Sequence, residues 1–234
     1  KGVAGSLKGG MFINDISDAS FTINTATVEF STRNESLTKV FKNRQYNFRS
    51  ANYFEMEATG VDVEVDGGAV RGDFLFTLDS ENGLNTTEMV GGVTNAVVGI
   101  GPNGEATLQN GNGAFILTDA GFVLGFDGDL SLNLPDISAS GAFGAEINTT
   151  SESINRSVMV AEEQINLDFA AGPFFGISAE GGTLNVGEQE LTGDFVIQSR
   201  ANGDLIIAVD DATTTITDGT TDYLQIDDAV GAII

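Results

Sequence analysis

Carboxylates are the reactive groups this sequence supplies in quantity. It holds 34 Asp and Glu residues, but no His and no Cys. Without a thiol there is no cysteine nucleophile, no disulfide and no zinc–thiolate site. Without imidazole, Ser-His-Asp, Cys-His and His-metal mechanisms are closed. Acid side chains can still hold a divalent cation or work as a hydrolytic pair. Asp62, Glu64 and Asp66 stand at alternate positions of one strand face, about 6.6 Å between neighbours, where they can share a calcium ion with adjacent loops. Asp127-Gly128-Asp129 forms a compact carboxylate turn, and Asp210, Asp211, Asp218, Asp222, Asp227 and Asp228 make the densest acidic stretch. Calcium is thus the one cofactor the sequence admits, although a solvated strand face accounts for the same residues. There is no EF-hand loop and no Gly-Gly-x-Gly-x-Asp nonapeptide to specify it.

Glycoside hydrolysis needs two acids at a set separation across a cleft. With 34 acids some pair meets any spacing, and no Trp and only 3 Tyr leave few platforms for a sugar. The sequence points away from an enzyme. Arg71-Gly72-Asp73 has the form of an integrin-binding tripeptide, yet its counterpart later in the chain is Thr192-Gly193-Asp194. Only Gly-Asp recurs, which fits a role in strand geometry. Asn-x-Ser/Thr sequons begin at Asn34, Asn85, Asn148 and Asn155, and they matter only in a glycosylating host.

The elements that must carry these residues are strands. Val61, Val63 and Val65 alternate with Asp62, Glu64 and Asp66, and the same period of two runs through Ala26–Phe30, Phe122–Leu132, Ile137–Ile147, Ile165–Phe169 and Leu205–Val209. Asn-Gly and Asp-Gly dipeptides at 66–67, 82–83, 103–104, 110–111, 127–128, 202–203 and 218–219 supply the positive φ angles of tight strand-to-strand turns. No amphipathic helix is evident. The expected fold is all-β.

The chain also repeats itself. Tyr53–Phe76 aligns without a gap onto Phe174–Ile197 at an offset of 121, and Glu29–Leu37 onto Glu146–Ile154 at an offset of 117. Phe54, Ala58, Gly60, Val65, Gly72, Asp73 and Phe74 recur as Phe175, Ala179, Gly181, Val186, Gly193, Asp194 and Phe195. Gly113–Ile116 resembles Gly231–Ile234. Two β-repeat modules, residues 1–118 and 119–234, are therefore expected, stacked end to end in an elongated body. The body is either a β-solenoid or a folded antiparallel meander. No Pro- or Ser-rich linker separates the halves near Thr118–Gly121. The closing Ala229–Ile234 run is apolar and lacks a polar cap, as in a slice of a longer array or a subunit that joins head to tail. Lys1 opens no basic-then-apolar leader, so a signal has been removed or the chain is an excerpt.

Charge narrows the partners. A net charge of −24 opposes nucleic acid and anionic membrane surfaces. No apolar run is long enough for a transmembrane helix. Residues 1–118 hold 14 acids and 8 bases, whereas 119–234 hold 20 acids and 2 bases. Lys39, Lys42, Arg44 and Arg49 cluster in the first half. At an offset of 119, Arg44 maps onto Glu163 and Arg49 onto Asp168, with Glu162 alongside. Equivalent sites one module apart lie beyond direct pairing and past the ~8 Å screening length. These residues are therefore candidates for self-association between copies lying end to end or side by side.

The Gly-Asp-Phe strand, the Glu146–Asn155 run and the Phe126–Leu132 pattern resemble tandem β-repeat modules of very large bacterial cell-surface, adhesin-like proteins. The resemblance covers both halves. It implies an extracellular structural role without an active site and transfers no functional residue. The leading expectation is a structural, non-enzymatic segment of a bacterial stalk, fibre or matrix that assembles through strand edges and complementary charge. The alternative is a calcium- or glycan-binding adhesin module.

Overall fold

The computed structural model of the chain describes residues 2–16, 19–65, 68–80, 87–100, 106–199, 203–218 and 220–234. The first half gives β1 (Ala4–Ile16), β2 (Ala19–Arg33), β3 (Leu37–Phe41), β4 (Arg44–Phe48), β5 (Ala51–Val65), β6 (Gly68–Ser80), β7 (Thr87–Ile100) and β8 (Ala106–Thr118). The second gives β9 (Gly121–Leu134), β10 (Ile137–Asn148), β11 (Ile154–Val160), β12 (Glu163–Phe169), β13 (Phe174–Val186), β14 (Gln189–Ser199), β15 (Leu205–Thr217) and β16 (Asp222–Ile233). The protein is all-β, as its alternation predicts, and the described residues contain no helix.

Twelve strands form one open antiparallel sheet in the order β1-β2-β5-β6-β7-β8-β9-β10-β13-β14-β15-β16. Two hairpins, β3–β4 and β11–β12, stand outside it, each inserted between neighbouring sheet strands. Every ladder among the described residues is antiparallel. The backbone therefore follows the meander of the two expected arrangements, and the parallel coil stacking of a solenoid does not appear. The β8–β9 ladder crosses position 118 through a two-residue turn, with Thr118 opposite Gly121 and Ile116 opposite Val123.

Several dipeptides expected in turns serve another purpose. Asn110-Gly111 lies inside β8 and Asp127-Gly128 inside β9. The turns themselves use Lys42-Asn43, Pro135-Asp136, Ala161-Glu162 and Gly187-Glu188. Asp66-Gly67, Asn82-Gly83, Asn85 and Asn103-Gly104 lie outside the described residues.

Positive φ angles inside the strands mark a seam. Gly60 (φ 59), Asn95 (φ 53), Asn110 (φ 51), Gly181 (φ 55), Asp211 (φ 51) and Asp228 (φ 50) all adopt it. Beside them the ladders shift register, between Ala58 and Val61, Val93 and Ala96, Gln109 and Asn112, Ala179 and Gly182, and Val209 and Ala212. An extra residue in one strand of a pair bends that strand and increases its twist. Gly, Asn and Asp occupy these positions because they enter the left-handed region at least cost.

The seam explains the recurring Gly-Asp-Phe. The Asp73 carboxylate accepts a hydrogen bond from the Gly60 N–H at 2.7 Å, and Asp194 accepts one from the Gly181 N–H, also at 2.7 Å. Each carboxylate thus satisfies a backbone donor that its bulge has taken out of the ladder. Gly193 has no room for a side chain, since a Cβ would fall 2.7 Å from the Ala212 Cα, and at Gly72 a Cβ would sit tightly, 3.1 Å from the Thr94 carbonyl oxygen.

The best-covered core lies where β11–β12 folds over the sheet. Val158, Val160, Leu167 and Phe169 are buried against Ala114, Ile116 and Val123. Close approach requires small residues beneath. A Cβ on Gly92 would fall 2.5 Å from Val160, and one on Gly125 would fall 2.8 Å from Leu167. Alternation turns Phe74, Phe76, Val93 and Phe115 to the opposite face, where they line an apolar hollow of about 540 Å³.

Replacing Asp73 with Ala strands a partly buried bulge N–H and should lower unfolding free energy by about 1–3 kcal/mol. Glu188→Ala, in the β13–β14 turn, should change it by under about 0.5 kcal/mol. Urea denaturation followed by far-UV circular dichroism checks both values.

Candidate functional site

Three groups of residues carry the functional expectations: the carboxylates assigned to calcium, the charged residues assigned to self-association, and the unpaired strand edges. The first group is largely occupied within the chain. Arg71 sits across from Asp62 on the β5–β6 ladder and binds Asp62 at 3.0 Å, while its other nitrogen bonds Glu64. Asp66 lies outside the described residues. The guanidinium therefore stands where a shared cation would sit. It also accounts for the Arg-Gly-Asp tripeptide, since Arg71 is held by two carboxylates and Asp73 by the Gly60 amide.

Asp129 accepts a hydrogen bond from the Asn110 side chain at 2.7 Å. Burial pushes the neighbouring Asp127 carboxyl above the ordinary carboxylate range, and the charge of Asp129 adds to the shift. Asp218 is a turn residue. It accepts hydrogen bonds from the Thr220 hydroxyl at 2.8 Å, the Thr220 and Thr221 amides at 3.0 and 2.9 Å, and the Tyr223 hydroxyl. Those donors, Tyr223 first, hold its carboxyl well below the usual range. Its contribution to the β15–β16 turn is therefore present above the unfolded carboxyl value and lost as pH falls through the lower folded one. Among the described residues no three acids gather into a metal-binding group.

The self-association candidates divide between the two hairpins. Lys39 lies on β3, Lys42 in the turn, Arg44 on β4 and Arg49 just beyond it. Glu162 lies in the β11–β12 turn, with Glu163 and Asp168 on β12. The hairpins share a construction. Both two-residue turns have positive φ throughout, 45° and 64° at Lys42 and Asn43, 46° and 78° at Ala161 and Glu162. On one face Thr38 and Gln45 bond the Asn47 side-chain oxygen at 3.1 and 2.9 Å. On the other hairpin Ser157 and Gln164 bond Asn166 at 2.9 and 2.7 Å. Counting from the turns, Arg44 occupies the place of Glu163, as the offset of 119 requires.

Their surroundings differ. The β11–β12 hairpin is fastened down on strands β5–β9. Arg156 makes a two-pronged pair with Glu88 of β7, at 3.1 and 2.7 Å. Asn95 of β7 donates to Glu163 at 3.2 Å, and the Ala161 amide donates to Glu57 of β5 at 3.1 Å. Asp168 is exposed on the outer face. In the β3–β4 hairpin, by contrast, Phe41 is 65% exposed, and Lys39, Lys42 and Arg44 are exposed with it. Phe48, at its base, is buried. Arg49 already has partners within the chain, Asp79 at 3.3 Å and Glu55 at 3.7 Å, and its guanidinium lies 4.2 Å above the Tyr53 ring. Burial pushes the Glu55 carboxyl upward against the pull of Arg49. Burial and the hydrogen bond to Glu29 likewise raise the Tyr53 hydroxyl.

The strand edges make up the third group. β1 pairs only with β2, and β16 only with β15. β1 carries Lys8 and Asp15, and β16 carries Asp222, Asp227 and Asp228. No helix of the described residues is long and apolar enough to cross a membrane. Comparison of the chain with protein-family models, with curated proteins and with solved structures gives no match.

Sequence reasoning found the charged residues but missed what separates the two hairpins. The signal was present in Val158 and Val160 of one against Lys39 and Phe41 of the other, which read as a seated face and a mixed one. Two outcomes follow from this geometry. Because calcium must displace a guanidinium at Asp62 and Glu64, Arg71→Ala should bind calcium more tightly than the parent chain, as measured by isothermal titration. Leu167→Ala, which empties the hairpin core, should cost about 2–4 kcal/mol in urea denaturation.

Proposed function

We propose that the chain is a structural, non-enzymatic repeat segment of an extracellular bacterial stalk, fibre or matrix protein. In this reading it consists of two modules, 1–118 and 119–234, that extend one sheet and assemble through strand edges and complementary charge. The observation that carries it is the β8–β9 ladder, continuous from Asn112 opposite Asp127 to Thr118 opposite Gly121, together with the hairpin β11–β12, which reaches back from the second half to close over β6–β8 of the first. Within the chain, the two halves are joined by backbone pairing and apolar packing, not by a linker.

Support comes from contacts that recur at the repeat offsets. Thr32 is bonded to Val3 by backbone and side chain, at 2.8 Å from its amide and 2.9 Å to its hydroxyl. Thr149 holds Phe122 in the same way, at 2.8 and 2.7 Å. Gly60–Asp73 recurs as Gly181–Asp194, and the positive φ of Asn95 and Asn110 recurs at Asp211 and Asp228. If the ladder that joins the halves also joins copies, β16 of one copy lies beside β1 of the next. That contact needs no active site, and it sets the acidic β16 beside a β1 in which Lys8 and Asp15 balance. The absence of imidazole and thiol from the sequence is consistent with it.

Analytical ultracentrifugation with negative-stain microscopy tests the reading. The 234-residue chain should form linear, concentration-dependent oligomers. Lowering the pH from about 7 toward about 5 should favour them by reducing the repulsion between strongly acidic copies. A chain that stays monomeric at every concentration and pH would overturn the proposal.

A further inference from the structure

We propose that the β3–β4 hairpin is a clasp that seats on strands β14–β16 of a second copy of this chain, with Arg44 set against Asp211. The inference rests on the self-assembling reading above and specifies which surfaces meet. Its template is the seating of β11–β12 on the sheet of its own chain. That hairpin leaves the sheet after β10 and lies over β6–β8, the strands preceding its own half. The β3–β4 hairpin leaves after β2 in the same manner, with the same turn conformation and the same outer-face network of hydroxyl, Asn and Gln. The strands that would lie beneath it are the counterparts of β6–β8 ahead of β1. In this chain those counterparts are β14–β16.

The sheet pairings identify the seat residue by residue. Phe74 faces Val93 across β6–β7, and Phe195 faces Val209 across β14–β15. This register places Val196 where Leu75 stands, Ala208 where Gly92 stands and Asp211 where Asn95 stands. The last match is independently marked by the shared φ, 53° at Asn95 and 51° at Asp211, and by the burial of the next residue but one in neither case and of the next residue in both, Ala96 and Ala212. Leu75 packs against the β11–β12 core, whereas Val196 is 40% exposed. The counterpart seat is thus built but uncovered.

Charge selects the occupant. Within the chain Glu163 meets the neutral Asn95 amide. In the matching contact between copies both residues change, Glu163 to Arg44 and Asn95 to Asp211, and the pair becomes base against acid. Lys42 stands two residues from Arg44 in the hairpin turn, Lys39 takes the place of Val158, and Asp210 flanks Asp211 on the seat. A second copy brings the first half's bases onto the second half's acids, which relieves the imbalance between them. Phe41 takes the place of Val160 and Ala208 that of Gly92, and both are larger. The clasp therefore rides further from the strands than its template, and the charged contact fixes its orientation more than its strength.

Because the chain has no cysteine, single-cysteine variants report the contact without background. Arg44→Cys chains mixed with mass-tagged Asp211→Cys chains, treated with a short bismaleimide, should give mixed dimers in clear excess over Arg44→Cys mixed with Asp62→Cys. Arg44→Glu should raise the concentration for half-assembly by about 3–5-fold, the scale of one exposed ion pair, and Asp211→Arg in the same chain should restore it. Assembly with no preferred cross-link and no effect of Arg44→Glu would overturn the clasp while leaving edge pairing intact. Failure of the parent chain to associate at all would overturn both.

Discussion

The seam of bulges is the constraint on which the rest of this structure depends. Strands of 11–15 residues in a twelve-stranded open sheet would otherwise run on with both faces exposed. Strongly twisted sheets of this breadth curl or fold. Here the bending occurs at fixed points in β5, β7, β8, β13, β15 and β16, where Gly, Asn or Asp adopts a left-handed conformation. Bending frees backbone donors, and Asp73 and Asp194 recapture two of them. The apolar hollow bounded by Phe74, Phe76 and Phe115 sits on the face toward which Val61 is turned beyond the bulge, so the seam and the partial core are one feature.

A sheet this open leaves much apolar area in water, and the hairpin β11–β12 is the device that covers part of it. Burying Val158, Val160, Leu167 and Phe169 removes four apolar side chains from solvent, and each fully buried side chain contributes about 1.5–3 kcal/mol. The peripheral hydrogen bonds of Arg156, Asn95 and Glu57 orient the hairpin more than they hold it, because exposed ion pairs contribute little. Gly92 and Gly125 are as necessary as the side chains above them, since any larger residue would lift the hairpin off the sheet. In the first half the same hairpin exists with its face turned basic and aromatic and its Phe41 open to solvent.

Much of the strand content was legible from period-two alternation, and the identity of the repeating residues was legible from self-comparison. Val61 against Asp62 gave the face of β5 correctly. The direction of pairing was not legible, because an alternating strand buries the same face in a parallel coil or an antiparallel meander. Asn110-Gly111 was misplaced for a physical reason: the left-handed conformation that favours Asn in turns favours it equally in bulges, and Asn110 adopts it, whereas Asp127-Gly128 continues β9 without a positive φ. The carboxylates at 62 and 64 read as a cation site because the partner that occupies them, Arg71, comes from the next strand. Arg49 read as a self-association residue, although a stack on Tyr53 and two acids from β5 and β6 engage it within the chain. Such contacts lie in the register, which no single segment of sequence reveals.

The account stands or falls on whether the halves share one continuous, hairpin-sealed sheet, and amide hydrogen exchange resolved along the chain measures this directly. It predicts that the amides around Ile116 and Val123, with those of Val160 and Leu167, exchange among the slowest and open together with β6–β9. Rapid exchange through β8 and β9, between two separately protected blocks, would contradict it.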